Sequence, residues 1–205
     1  MGSRMMHLLI ANRIAERFSI EDQAALLLGG IAPDAVTPKE VSHFFTGDVT
    51  DYSRSIDYEG FLRKYHSQKE SYYILGYYTH LIADDIWLKG FYLPWLKNRM
   101  EANENLGELY HNDFRLLNGK LLEHYGSKDD LKKLLQVVTP ISDLEEVMAK
   151  DVEKFLPYVF EDMKYDKEAV NEKLRVFTFE QIVGYIETSI EIGSLKVEQI
   201  LSKNK

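Results

Sequence analysis

The chain has 205 residues, 45% of them hydrophobic and 28% charged, with 25 Lys and Arg against 33 Asp and Glu for a formal net charge of −8. This is the composition of a folded globular protein, and its acidic balance excludes an extended phosphate-neutralising surface for nucleic acid. Cysteine is absent, which excludes disulfide scaffolds, thiolate zinc fingers, iron–sulfur centres and cysteine nucleophiles.

Helical periodicity runs along nearly the whole chain. Leu8, Ala11, Ile14, Ala15 and Phe18 repeat at three- and four-residue spacing, which predicts a first amphipathic helix ending near Phe18. Ser19, followed by Glu21 and Asp22, is the expected cap of a second helix, which Gly29 and Gly30 are expected to stop. A non-helical stretch over 29–38, a short segment carrying His43 and a polar surface loop over 46–58 follow. Helices are then expected over 58–70 and 71–89, with a break or a new start at Pro94. Further helices are expected over 106–125, 129–138, 142–160 and 178–203, the one at 142 announced by Ser142 and Glu145 in capping-box spacing. Strand alternation is nowhere sustained. The fold class is therefore all-α, with eight or more helices around one core, as a single domain over 1–205.

The six histidines all fall within the first 124 residues. The chain thus divides into a part carrying chemistry, 1–124, and histidine-free C-terminal helices, 125–205. No secretory core and no membrane-length apolar run is found, so a soluble cytoplasmic protein is expected.

With no thiols, a metal site must be built from histidine, carboxylate, backbone and water. His80 and Asp84 sit at i and i+4 of an expected helix, so both can approach one cation from one face. Asp85 is rotated about a hundred degrees away. Asp34 closes the tight segment Gly29-Gly30-Ile31-Ala32-Pro33-Asp34, His43 lies among apolar residues, and His7 shares the face of Ala11 and Ile14. Each alone also reads as a packed histidine or a turn-capping aspartate. Together, His7, Asp34, His43, His80 and Asp84 form a nitrogen and oxygen set that suits Zn²⁺ or another divalent transition metal. A second polar cluster offers His111 and Asp113 as a late ligand or proton-transfer pair. It also offers Arg115 as a phosphate contact, since its fork matches phosphate oxygens.

The order of these segments resembles a known family. A helix-borne histidine, Gly-x-Ile-Ala-Pro-Asp at Asp34, Ser-His-Phe at His43 and Gly-Tyr-x-x-His-Leu-Ile-x-Asp over 76–84 are similar to the zinc-dependent phospholipase C family, relatives of the S1/P1 nucleases. The resemblance covers about the first half of the chain and implies an all-α fold of the phospholipase C and P1 nuclease type. It implies that Asp34, His43 and His80 hold one zinc and His7 another, with Asp84 bridging. The family's further histidine and downstream His-x-x-x-Glu pair have no counterpart: Gly90 stands six residues beyond Asp84, and His66 with Glu70 lies upstream. One or two ions are expected rather than three.

The function that follows is metal-dependent hydrolysis of a phosphoester or phosphodiester by an activated water, with Asp34 as base. The expected partner is a small phosphorylated substrate or a phospholipid head group. Two other readings stand beside it. One is a helical interaction protein that retains a metal site. The other is a ferritin-like di-metal carboxylate protein, for which Glu40–His43 and Glu108–His111 supply the spacing but the first 50 residues supply no long helices.

Overall fold

The computed structural model describes residues 3–126 and 128–202. It is built almost entirely of helices, as expected. The first, α1 (Arg4–Phe18), starts where the Ser3 hydroxyl accepts the Met6 N–H, and it ends where Ser19 turns left-handed at φ 50°. Ser19 therefore closes α1 rather than opening the next helix. That role falls to Asp22, whose carboxylate accepts from the Ala25 N–H at 3.0 Å and starts α2 (Gln23–Ile31).

Gly29 and Gly30 do not stop α2. The helix runs through them and tightens into a 3₁₀ turn at Ala32–Ala35. The physical reason lies on α5 (Tyr72–Trp87), the helix that α2 packs against. A Cβ on Gly29 would lie 2.0 Å from the Tyr73 carbonyl oxygen, and one on Gly76 would lie 2.0 Å from that of Leu26. The reciprocal glycines let two helix backbones touch. Helix α5 is consequently buried on nearly every side, from Tyr73 to Asp85 and again at Trp87.

After the 3₁₀ turn, α3 (Lys39–Ser42) makes a single helical turn capped by His43. The expected loop over 46–58 contains a two-stranded antiparallel hairpin, β1 (Phe45–Thr46) with β2 (Ser55–Ile56). Its connection is held by Asp48 and Asp51, which accept from the backbone N–H of Thr50 and Ser53. The Ile56 N–H donates to Asp85 at 3.3 Å and ties the hairpin to α5. Helix α4 (Tyr58–Lys64) follows and is shorter than expected, ending in a 3₁₀ turn at His66–Gln68.

Pro94 does not break the chain. Residues Leu88–Leu96 continue α5 as a wider π-helix that leads into α6 (Lys97–Ala102). The wider turn moves the preceding carbonyls away from a ring that an α-helix could not hold unstrained. Helix α7 (Leu106–Tyr125) has the expected bounds and ends at Gly126, φ 65°. Helix α8 (Lys128–Leu135) follows.

The capping-box spacing at Ser142 is not used. Glu146 instead accepts from the Tyr65 hydroxyl and Lys64, each at 2.5 Å, while Asp143 accepts from the Ala149 N–H at 2.8 Å. Tertiary pairing with α4 holds this stretch out of a helix, and α9 begins only at Ala149, spanning Ala149–Asp162. Helix α10 (Phe179–Leu201) does carry a complete capping box, between Thr178 and Gln181. Its expected end at Lys203 lies outside the described residues. Helix α10 packs on α1 and α5, with Ile14 against Gly193.

Candidate metal centre

Five side chains from four segments meet at the contact of α1, α2, α3 and α5. They are His7 from α1, Asp34 from the 3₁₀ turn after α2, His43 from the end of α3, and His80 and Asp84 from α5. The side chains of His7, His43, His80 and Asp84 are completely buried, and that of Asp34 is 3% exposed.

The hydrogen bonds settle which ring nitrogens carry protons. His80 Nδ1 lies 2.8 Å from the Gly30 carbonyl oxygen, which can only accept, so Nδ1 donates and Nε2 keeps its lone pair. For His43, Nδ1 lies 3.0 Å from the Ser42 hydroxyl oxygen and 3.1 Å from the Lys39 carbonyl; with that hydroxyl donating to the Pro33 carbonyl at 2.9 Å, Nδ1–H is the donor to both. Its Nε2 is likewise bare. These two bare nitrogens face each other at 3.3 Å. Asp84 Oδ2 lies 3.3 Å from the His43 nitrogen and 3.5 Å from the His80 nitrogen, and Asp34 Oδ1 lies 3.6 Å from that of His43. Four acceptors therefore converge in a dry interior.

The other oxygen of Asp84 turns to His7, whose Nε2 lies 3.2 Å from Oδ1. The approach is close but not aligned as a hydrogen bond, and both buried nitrogens of His7 lack a hydrogen-bond partner. The ring stacks on His80 with centroids 3.7 Å apart. Ligand atoms of His7, Asp34 and His80 lie within 4.8 Å of one another, as do those of His43, His80 and Asp84, so each trio could hold a metal ion.

Electrostatics agree with ligand duty. Burial pushes His7 down from 6.5 to about 4, and lowers His43 as well. Both rings are neutral at physiological pH. Burial alone would push Asp34 up, but the neighbouring His43 and the charge of Lys39 hold it well below the usual carboxylate range. Asp84 is likewise held well below that range against its burial. Neutral imidazoles with bare nitrogens, orphaned buried nitrogens and ionised carboxylates fit a divalent cation bound by nitrogen and oxygen.

Of the five, Asp34 alone also lines an open cleft of about 560 Å³, together with Arg4, Lys39, Tyr110, His111 and Arg115. His111 and Arg115 therefore line the same cleft as Asp34. Asp113 does not. It is fully buried and its oxygens accept the N–H groups of Arg175, Val176 and Phe177 at 2.8, 2.8 and 3.1 Å. It is a structural clamp, which corrects its expected role as a ligand or proton carrier. Its i+2 offset from His111 puts it on the opposite side of α7. The ferritin-like pairing also fails at Glu40, which is 66% exposed while His43 is buried.

Four contributors escape sequence reading. Lys39 supplies the carbonyl that orients His43 and an ammonium that pairs with Asp34. Its i, i+4 spacing to His43 was the available sign. Ser42, next to His43, ties that residue's setting to Pro33, and Tyr77 donates to the Ser42 carbonyl at 2.6 Å. Arg4 reaches the cleft with no local motif to mark it.

No curated protein and no solved structure shows a significant match to this chain. Residues 6–185 match the family described as zinc dependent phospholipase C. That match extends well beyond the motif-bearing first half into α10, and its metal is the one the buried histidines and aspartates suit. The chain belongs to the zinc-dependent phospholipase C family.

Proposed function

We propose that the protein is a zinc-dependent hydrolase of a phosphoester or phosphodiester. The observation that carries this reading is the pair of unprotonated Nε2 atoms of His43 and His80 facing each other beside Asp34 and Asp84. Asp34, His43 and His80 would hold one ion and His7 a second, with Asp84 a ligand common to the two. Zinc supplies Lewis acidity to such a site, bringing the pKa of water toward neutrality and offsetting charge on phosphorus.

The remaining chemistry belongs to the chain. Asp34 is ionised at neutral pH and faces the cleft, so it can receive the proton of an attacking water. Lys39 lies beside Asp34 in the cleft, where its ammonium can meet a phosphoryl group. Next to the polar cleft, across Tyr110 and His111, lies an apolar hollow of about 420 Å³ lined by Phe45, Val49, Leu88, Tyr92 and Met100. A polar cleft joined to an apolar annex suits an amphiphilic substrate, consistent with the phospholipid class that the family implies. No helix among the described residues is long and apolar enough to cross a membrane. The packing of α10 on α1 and α5 supports reading the chain as one domain.

Elemental analysis of protein purified without chelator, combined with hydrolysis of bis(4-nitrophenyl) phosphate, tests the proposal. The expected result is one or two zinc ions per chain and a turnover that the His80→Ala variant loses together with its zinc. Protein free of stoichiometric metal and inactive on phosphoesters would leave the interaction-protein reading in its place.

A further inference from the structure

The outer wall of the cleft draws its cations from three separate helices. Arg4 from α1, Lys39 from α3 and Arg115 from α7 line it against two carboxylates, Asp34 and Asp162. This excess of cations stands out in a chain of net charge −8. Their tethers separate them. Lys39 is paired with Asp34 at the metal end. Arg4 is held by Asp162 of α9 at 2.7 Å, and Arg115 by Asn112 at 3.1 Å.

The wall is equally telling for what it does not offer. Recognition of a quaternary ammonium requires open aromatic faces and an available carboxylate. The guanidinium of Arg4 already lies over the Phe155 ring, 5.2 Å from its centroid. Tyr110 packs on Phe114 at 4.4 Å, and Phe114 in turn packs on Trp87 and Phe177. Each cleft carboxylate already has a cation against it, whereas Arg115 is held only by the neutral Asn112 amide and adds a positive charge that no cleft carboxylate matches.

Building on the hydrolase reading above, we propose that Arg4, Lys39 and Arg115 form a head-group subsite for an anion. The favoured substrate is then a phosphoester whose non-scissile part carries a second negative group, and a choline-type head group is disfavoured. The shared chemistry is a bis-anionic phosphoester, whether a lipid head group or a soluble metabolite. Arg115 and Arg4 grip the distal anion through charge-assisted hydrogen bonds, while Lys39, at the Asp34 end, meets the scissile phosphoryl group.

The test uses the zinc-loaded full chain and three probes that share one phosphate and differ at the far end: propane-1,3-diol bisphosphate, propyl phosphate and phosphocholine. Titration calorimetry is expected to show the bisphosphate binding about tenfold tighter than propyl phosphate, with phosphocholine weakest. The Arg115→Gln variant, altered at an exposed position, should lose most of the bisphosphate advantage while binding propyl phosphate nearly as before. Arg4→Gln, checked for folding by thermal melt, should act in the same direction. Equal binding of bisphosphate and propyl phosphate would mean that all three cations serve one phosphate, and would overturn the proposal. So would phosphocholine binding as tightly as the bisphosphate, or an advantage that survives in both variants.

Hydrolysis of bis(4-nitrophenyl) phosphate is measured in parallel. Turnover with a flat probe series sinks the anion subsite and leaves the hydrolase reading standing. The expected probe order without turnover sinks the hydrolase reading and keeps the subsite. Comparing vesicles of phosphatidylinositol 4-phosphate with vesicles of phosphatidylcholine, alongside the soluble bisphosphate, then separates a lipid source from a free one.

Discussion

The Nε2 atoms of His43 and His80 face each other across 3.3 Å, and neither carries a proton, because Nδ1 of each ring donates to a backbone carbonyl. Two opposed lone pairs at a buried site repel, and a cation lying against both relieves that repulsion. Folding therefore assembles a site that costs free energy without metal.

Metal removal should be visible as lost stability. Chelation is expected to cost about 4 kcal/mol at a thousandfold excess of zinc over its Kd, or about 10 °C in Tm for a chain of this size. The Asp84→Asn variant, whose bridging charge is gone, should melt at the same temperature with and without EDTA. A chelator-induced shift preserved in that variant would count against Asp84 as a ligand.

The metal-free protein should weaken steadily with acid. The folded value of His7, about 4, lies below its ordinary 6.5, so between those limits the unfolded chain binds more protons than the native state. Its contribution is complete above pH 6.5 and lost as pH falls toward 4, amounting to about 3 kcal/mol. His43 is shifted in the same direction. Below that range Asp34 and Asp84 continue the loss, since their carboxylates lie under the ordinary range and must be protonated. Urea unfolding of EDTA-treated protein from about pH 7 to about pH 4 measures the slope. His7→Gln should flatten it, and an unchanged slope would refute the assignment.

Glycine at the α2–α5 contact should be irreplaceable. Gly29→Ala places a methyl 2.0 Å from the Tyr73 carbonyl, and is expected to destabilise by about 3 kcal/mol and reduce bound zinc. Gly184 in α10 has open space around its Cβ position. Gly184→Ala should stabilise by up to about 1 kcal/mol through helix propensity alone. Denaturant melts of both variants make the comparison, and equal effects would contradict it.

Asp113 should matter for folding and not for metal. Asp113→Ala leaves the N–H groups of Arg175, Val176 and Phe177 without their acceptor, a loss of about 3 kcal/mol. Zinc content per folded chain is expected to stay at the wild-type value. A drop in stoichiometry with the fold intact would restore it to the site.

Periodicity alone carries the helices whose faces are decided locally. The bounds of α7, the end of α1 and the start of α10 follow from spacing and from Gly126. Where the sequence reading fails, a distant partner outweighs a local preference. Ser142 and Glu145 have the spacing of a helix start, but Lys64 and Tyr65 take the neighbouring carboxylate of Glu146 and the start moves to Ala149. Gly29 and Gly30 look like a stop, yet they are the thin side of a helix pressed against α5.

The site divides along the same line. The sequence by itself determines that His80 and Asp84 share a helix face, since 3.6 residues per turn leaves no alternative. It also supplies, in order, the residue types that a nitrogen and oxygen metal site needs. Only the tertiary structure decides that His7, Asp34 and His43 arrive at that face and that Asp113 turns away from it. It alone lets Arg4, more than a hundred positions distant from Arg115, share a cleft with it. These outcomes rest on close backbone approach and on hydrogen bonds between remote segments, which no spacing along the chain encodes.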